Sequence, residues 1–137
     1  MKIPFVENVG IDTTKIDAIV LADTQSIHNH IGTIHAGALY TLAETQSGYA
    51  LKDIFQDHFD ETIMPLLRGA EVKYRLPAQG DIVAQASVAD EEQEKFLAQF
   101  SKRGRGTISV AVTLKNSEKK IVFEGKFSWF IQRRTDH

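Results

Sequence analysis

The amino-acid sequence predicts an α+β fold in which one antiparallel sheet packs on a single long helix. Residues 34–55 carry small or apolar side chains on every side of a helix, and between positions 34 and 51 the acidic and basic residues are Glu44 and His35 alone. A helix that is apolar all round is a buried helix. Four later segments alternate polar and apolar residues, as strands with one solvent-facing side do.

The other elements follow in order along the chain. A first strand is predicted over 15–21, and a polar loop over 23–33 leads into the long helix, with Thr33 as its N-cap. A short second helix over 90–104, with Gly104 as its stop, is predicted between the third and fourth strands. The four alternating strands are predicted at 71–76, 82–88, 107–115 and 121–131.

Length and composition limit the classes of protein that fit. The 137 residues are enough for one core, so we predict a single domain over 1–137. A net charge of −2 gives no sign of nucleic-acid binding, and no apolar run approaches the roughly 18 residues of a membrane span. The sequence contains no cysteine, which excludes thiolate chemistry and fits a cytoplasmic location.

Glu44 is the first candidate for a functional side chain. No basic residue lies within one helical turn of it. An unpaired carboxylate in a buried helix costs several kcal/mol of desolvation or has its pKa raised, and such groups gather at active sites. The alternative is that Glu44 faces a solvent-filled groove, or that it pairs with Arg68 or Arg75 of the sheet.

Two further side chains precede Glu44. His35 lies in the first helical turn, where the helix dipole disfavours a protonated imidazole, so a neutral ring is expected. Asn29 lies in the loop before the helix. Taken alone, His35 is more often a capping or packing residue than a catalytic one, and Asn29 is an ordinary loop residue. His28 and His30 form a His-x-His pair, but no third ligand follows at a zinc-site spacing, so no metal is expected.

The start of the long helix also offers backbone donors. Amides in the first turn have no intrahelical acceptor, so the N–H groups of Ala36 and Gly37 are predicted to be free for a developing oxyanion. Small and polar residues share one helical face with the acid, which indicates a surface that a ligand or a second chain contacts. These residues are Gly37, Thr41, Glu44 and Gly48.

Helix geometry separates the acid from the helix start. Glu44 lies nine positions after His35, which is about 13 Å along the axis and half a turn around it. One chain therefore cannot bring both onto one reacting centre. Two helices packed antiparallel across a two-fold axis can, because Glu44 of one then lies near Asn29, His35 and the free amides of the other.

Two segments of the chain resemble those of a known family. Residues 28–44, which begin His-Asn-His-Ile-Gly-Thr-Ile-His-Ala-Gly and end in Glu44, resemble the signature of hotdog-fold acyl-CoA thioesterases of the phenylacetate-pathway type. The family pattern is Asn or Gln, a Gly, then His-Gly-Gly, with an acidic residue nine positions after the His. Residues 74–81 resemble the family's strand-turn segment, and Trp129 resembles a feature of a small bacterial subgroup of uncharacterised hotdog proteins.

The resemblance implies a hotdog fold and a role for each matching residue. Glu44 takes the position of the general base or nucleophile, and the Ala36 N–H takes that of the oxyanion donor, with Gly37 beside it. Asn29 matches the amide that orients the carbonyl or the attacking water, and His35 matches the imidazole that supports it. Ala36 departs from the pattern, since the family has Gly there; the backbone donor survives, but the methyl group narrows the approach.

The resemblance also implies a substrate and an assembly. The substrate would be an acyl thioester carrying coenzyme A, no separate cofactor would be needed, and the protein would form a homodimer, with a dimer of dimers left open. Thr41 would lie against the substrate. Coenzyme A phosphates need cations, for which Lys102, Arg103 and Arg105 are candidates, although a solvated basic turn explains that cluster equally well.

Two other functions remain open from the sequence. A hydroxyacyl-thioester dehydratase would use a His–acid pair fourteen positions apart, a spacing that His30 and Glu44 have, but this sequence lacks the proline-rich loop between them. A non-catalytic hotdog module that binds acyl thioesters is the second alternative. A pure binder of neutral acyl chains has no use for Glu44, so that residue discriminates between the two classes.

Overall fold

The computed structural model describes residues 3–134 as three helices and six strands. In chain order these are α1 (Pro4–Val9), β1 (Ile11–Asp12), β2 (Val20–Leu21), a short 3-10 turn (Gln25–Ile27), α2 (Ala36–Ile54), β3 (Ile63–Tyr74), β4 (Ile82–Ser87), α3 (Asp90–Arg103), β5 (Arg105–Lys115) and β6 (Ile121–Arg133).

All strands join one antiparallel sheet in the order β1-β2-β4-β5-β6-β3. The inward side chains alternate along β5, at Ile108, Val110 and Val112, and the sheet covers α2, whose Leu42 and Leu51 are fully buried. The predicted layout, a long buried helix wrapped by an antiparallel sheet, is confirmed. The order also leaves β3, a strand of 12 residues, at an edge of the sheet.

The start of the chain differs from the prediction. The strand predicted over 15–21 shrinks to Val20–Leu21, because the buried side chain of Gln46 on α2 takes the place of strand pairing. Its amide nitrogen donates to the carbonyl oxygen of Ile16 (2.8 Å), and its oxygen accepts from the amide of Ile19 (3.0 Å). Helix α1 was not predicted, although Pro4 at its start and Gly10 at its end, with φ of +87°, are helix boundary signals.

Strand β3 begins eight residues before the predicted strand at 71–76. Its first half reads Ile-Met-Pro-Leu-Leu, without alternation, and it contains Pro65, which argues against a central strand. Neither feature argues against a strand at the edge of a sheet, and the outer side of β3 has no neighbouring strand within residues 3–134. The edge position was not visible in the local sequence pattern.

The helix boundaries are corrected in one place. Helix α2 begins at Ala36 with His35 as its N-cap, so the prediction of Thr33 as the cap is wrong. Helix α3 agrees with its predicted range and ends at Gly104, whose φ of +67° is the left-handed conformation that a glycine adopts at low cost. Within the described residues, no helix has the length and apolar character needed to cross a membrane.

Candidate active site around Glu44

Glu44 lies in the middle of α2 and faces a groove. The groove has a volume of about 870 Å³ and is lined by α1, by α2 from Thr41 to Lys52, by the segment leading into β3 and by Trp129. The side chain is half-buried, and burial raises the pKa of its carboxyl group. Within residues 3–134, no side chain or backbone group donates a hydrogen bond to this carboxylate. A partly desolvated carboxylate without a donor or cation is a candidate base.

The basic residues that could have neutralised Glu44 make other contacts. Arg75 forms an ion pair with Glu124 on β6. The Arg68 guanidinium lies 3.8 Å from the centroid of the Phe130 ring. The alternative in which Glu44 pairs with Arg68 or Arg75 is therefore wrong. The alternative in which Glu44 faces a groove is correct.

His35 caps the helix that carries Glu44. Its Nδ1 accepts a hydrogen bond of 2.8 Å from the amide of Gly37 and so caps the first turn of α2. The prediction that the Gly37 amide is free is wrong, because that amide is the capping donor. The amide of Ala36 has no acceptor among the described residues and is the one available for an oxyanion.

Asn29 organises the loop before α2. Its side-chain oxygen accepts hydrogen bonds from the amides of Ile31 and Thr33, both at 3.0 Å, and its nitrogen donates to the Thr33 hydroxyl at 2.7 Å. One hydrogen of the amide group is left for a ligand. The substrate-orienting role of Asn29 stays a prediction, and it would have to use that hydrogen.

Of the two neighbouring histidines, His28 makes a structural contact and His30 is exposed. His28 Nε2 lies 2.5 Å from the Asp23 carboxylate, which also accepts a hydrogen bond of 2.6 Å from the amide of Gly80. These two hydrogen bonds lower the pKa of Asp23 and join the loop before α2 to the turn before β4. His30, the histidine with the dehydratase spacing, is exposed. Residues 3–134 contain no group of three His, Asp or Glu side chains able to hold a metal ion.

One protomer brings only some of the predicted site residues together. Thr41, Glu44 and Gly48 line the same groove, but Gly37 does not. Nine residues of regular helix keep Glu44 about 13 Å along the axis from His35, as expected. The acid and the free helix-start amide are therefore separate within one chain.

The three predicted phosphate-binding cations lie at one end of the sheet. Lys102 and Arg103 end α3, Arg105 begins β5, and all three are exposed. None of them lines the groove that holds Glu44. Arg105 of β5 pairs with Gln132 of β6, and the neighbouring Arg133 lies 3.6 Å from the carboxylate of Asp60 in the groove lining.

Several residues near Glu44 were not predicted as part of the site. The Tyr40 side chain lies one helical turn before Glu44, and burial together with the charge of Glu44 raises its pKa. Tyr74, at the end of β3, donates a hydrogen bond of 3.3 Å from its hydroxyl to the carbonyl oxygen of Ala36. Ser47 and Trp129 form a contact beside the groove. The four-residue spacing of Tyr40 from Glu44 was the available signal; the others depend on tertiary contacts.

The fold defines the class of protein. With one helix wrapped by an antiparallel sheet, the chain has the hotdog fold, and solved structures of that fold superpose on it. A Pseudomonas aeruginosa protein of unknown function, named a probable thioesterase, is 26% identical, with a TM-score of 0.79 over 96% of this chain and 89% of the other. A thioesterase from Haemophilus influenzae is 16% identical, with a TM-score of 0.72 over 97% and 85%.

A third similar structure was solved with coenzyme A. This Bacillus halodurans protein is 16% identical, with a TM-score of 0.73 over 96% of this chain and 77% of the other. The chain itself belongs to the DUF4442 family, a domain of unknown function, whose model matches residues 1–131. No curated protein matches the sequence.

Proposed function

We propose that this protein hydrolyses an acyl thioester of coenzyme A, and that it does so as a homodimer. The observation that carries the proposal is Glu44, a half-buried carboxylate in an open groove, against which residues 3–134 place no donor or cation. The probable-thioesterase name of the 26%-identical Pseudomonas protein supports the reaction class. The coenzyme A in the Bacillus structure supports the leaving group.

The chemistry needs a base, an oxyanion donor and a leaving thiol. Glu44 removes a proton from water, whose oxygen forms a bond to the thioester carbonyl carbon. The carbonyl oxygen becomes an oxyanion, which accepts a hydrogen bond from the Ala36 amide. The carbon–sulfur bond then breaks, the oxyanion collapses to a carboxylic acid, and the thiolate takes the proton from Glu44. Base catalysis contributes about 10²–10⁴-fold, and one oxyanion donor about 3–4 kcal/mol.

The edge of β3 supports a dimer. Its outer hydrogen-bonding side is free in the described chain, and Leu66 and Tyr74 remain 46% and 47% exposed. A long edge strand with exposed apolar side chains is a surface that proteins normally cover. Antiparallel pairing with β3 of a second copy would cover it and extend the sheet across both chains.

The same pairing would complete the site. A two-fold axis near the middle of β3 would put Tyr74 of the second copy opposite Ile63 and Pro65, which line the groove beside Glu44. Because the Tyr74 hydroxyl contacts the carbonyl oxygen of Ala36, the helix start of the second copy would come with it. The acid of one chain and the free amide of the other would then meet, twice per dimer.

The remaining assignments complete the proposal. Asn29 and His35 would orient the carbonyl or the water from the loop and cap at the helix start, while Thr41 and Gly37 would flank the substrate. Assignment to the phenylacetate-pathway type rests on the signature at residues 28–44.

Three exposed cations would contact the coenzyme A phosphates. They are Lys102, Arg103 and Arg105.

The shared site can be tested by removing the proposed oxyanion donor in one variant and the proposed base in another. Ala36→Pro deletes the amide N–H, and proline fits the first helical position. His35 has φ of −61° and ψ of 139°, a conformation that a following proline accepts. Ala36→Ser is the matched control because it keeps the N–H. We expect Ala36→Pro and Glu44→Gln each to lose thiol release from an acyl-CoA panel, whereas Ala36→Ser retains it.

Co-expression of the two inactive variants then tests the dimer. A mixed dimer contains one site with both intact groups, so activity should return to roughly a quarter of wild type when chains mix at random. If each chain holds a complete site, mixing will restore nothing. If Glu44→Gln releases thiol at the wild-type rate, hydrolysis at this site is wrong and a non-catalytic acyl-thioester binder is preferred.

A further inference from the structure

The groove beside Glu44 continues well past the candidate carboxylate. From Glu44 to Leu51, α2 rises about 10 Å along the groove, at 1.5 Å per residue. Phe59, Ile63, Pro65 and Trp129 also line the groove. The space is too large to be needed for the thioester carbonyl alone.

Apart from Tyr49, the uncharged polar side chains along this groove are unavailable to a ligand as donors. The hydroxyl groups of Thr41 and Thr45 donate to the helix carbonyl oxygens four residues earlier, at 2.8 and 2.6 Å. The charged lining residues Lys52, Asp60 and Glu61 are exposed, which puts them at the rim. A polar ligand would lose hydrogen bonds to water here, whereas an apolar ligand would lose none. The interior therefore fits a hydrocarbon group.

Trp129 is a fixed part of the wall. Its indole nitrogen donates a hydrogen bond of 2.9 Å to the Ser47 hydroxyl, which in turn donates at 2.6 Å to the carbonyl oxygen of Glu44. Ser47 is completely buried. The indole ring also lies against Gly48, where a Cβ atom would be 3.6 Å from it. The ring is thus attached to the helical turn that follows Glu44.

We propose that this groove binds the acyl group of the thioester and that Trp129, held by Ser47 against Gly48, sets the length of acyl chain that it accepts. The inference rests on the proposed function. A short acyl group bound with its carbonyl at Glu44 ends before the indole, whereas a longer one must pass beside it. Selection by chain length follows from that arrangement.

Binding can be read without catalysis, because Trp129 is the single tryptophan of the chain. The Glu44→Gln variant is titrated with butyryl-CoA, octanoyl-CoA and free coenzyme A, and the indole emission is recorded beside calorimetric affinities. We expect octanoyl-CoA to shift the emission and free coenzyme A to leave it unchanged. If octanoyl-CoA binds with no change in emission, the acyl group lies elsewhere and the proposal is overturned.

Two substitutions should change selectivity in opposite directions. Gly48→Val pushes the indole into the groove, so the ratio of kcat/KM for octanoyl-CoA to that for butyryl-CoA should fall at least tenfold. Trp129→Phe shortens the ring and removes its anchor, so the same ratio should rise. The ratio is unaffected by partial unfolding, because both substrates report on the same folded fraction.

The outcomes separate this inference from the proposed function. Unchanged ratios in both variants, with hydrolysis still lost in Glu44→Gln, overturn the role of Trp129 and leave the hydrolase intact. An emission shift with octanoyl-CoA, together with full hydrolysis in Glu44→Gln, overturns the catalytic role of Glu44 and leaves the acyl groove intact.

Discussion

Two polar residues of α2, two positions apart, have opposite environments. Gln46 is 1% exposed, and both ends of its amide group bind the backbone of the segment before β2. Glu44 is only half-buried, yet its carboxylate has no donor or cation within the described part of the chain. The helix thus joins the first strands to the core on one side and presents an acid to a groove on the other.

The difference separates a structural role from a functional one. A buried polar group with every hydrogen bond made stabilises one arrangement of the chain. A desolvated carboxylate with no partner lowers stability and is retained where chemistry needs it. The two residues differ in burial and also in the number of partners that the fold supplies, and the number of partners separates their roles.

The largest expected effect is on catalysis at Glu44. Glu44→Gln keeps the size of the side chain and removes the base, so thiol release should fall about 10²–10⁴-fold. The midpoint of thermal unfolding should be unchanged or higher, because a desolvated charge is removed. A variant that loses stability along with activity would mean that Glu44 has a structural partner, and the contrast with Gln46 would fail.

The next effect is on stability at Gln46. Gln46→Ala leaves the buried amide of Ile19 and the carbonyl of Ile16 without partners, which should cost about 1–3 kcal/mol of unfolding free energy in denaturant. Gln56→Ala is the matched control, since Gln56 is exposed just beyond α2 and should change little. Activity per folded molecule should survive in both variants. Equal stability of the two variants would show that the Gln46 contacts contribute nothing.

The smallest effect is the pH dependence of the contribution that Glu44 makes to folding stability. Burial raises the folded-state pKa of Glu44 above its usual 4.5, so the folded protein holds this proton more tightly than the unfolded chain. Wild type should therefore lose stability relative to Glu44→Gln as pH rises from the unfolded pKa through the folded one, and the difference should vanish in more acidic solution. The stability loss in Gln46→Ala should not follow this curve.

The pH dependence of wild-type activity should report the ionisation of Glu44. As the pH falls through the raised pKa of Glu44, the base is protonated and kcat/KM should decline, with an apparent pKa above the usual carboxylate value. An acid limb at or below that usual value would place the reacting base elsewhere.

Local patterns predicted most of the fold and about half of the site. Alternation identified β4, β5 and β6, and the all-round apolar character of α2 identified the wrapped helix. The same reasoning selected Glu44, because an isolated acid in such a helix is unusual wherever it points. The prediction missed the first half of β3. Proline argues against a central strand, but an edge strand such as β3 tolerates it.

The contacts of the helix start could not be read in the same way. For His35 and Asn29 the sequence left a capping or loop role and a role toward a substrate open; their hydrogen bonds organise the cap and the loop, and the role toward a substrate stays a prediction. A role in the cap or loop and a role toward a substrate both fit the same residue types at the same spacing. The hydrogen bond between Ser47 and Trp129 joins residues 82 positions apart, a distance over which sequence periodicity carries no information.

The sequence by itself determined the buried helix, the sheet that wraps it and the isolated acid, because burial and side-chain period are properties of neighbouring residues. Only the tertiary structure decided that the acid lies in a groove without a partner, that Gln46 is satisfied and that β3 has a free edge. Those facts depend on which distant groups approach one another, and chain packing sets that approach.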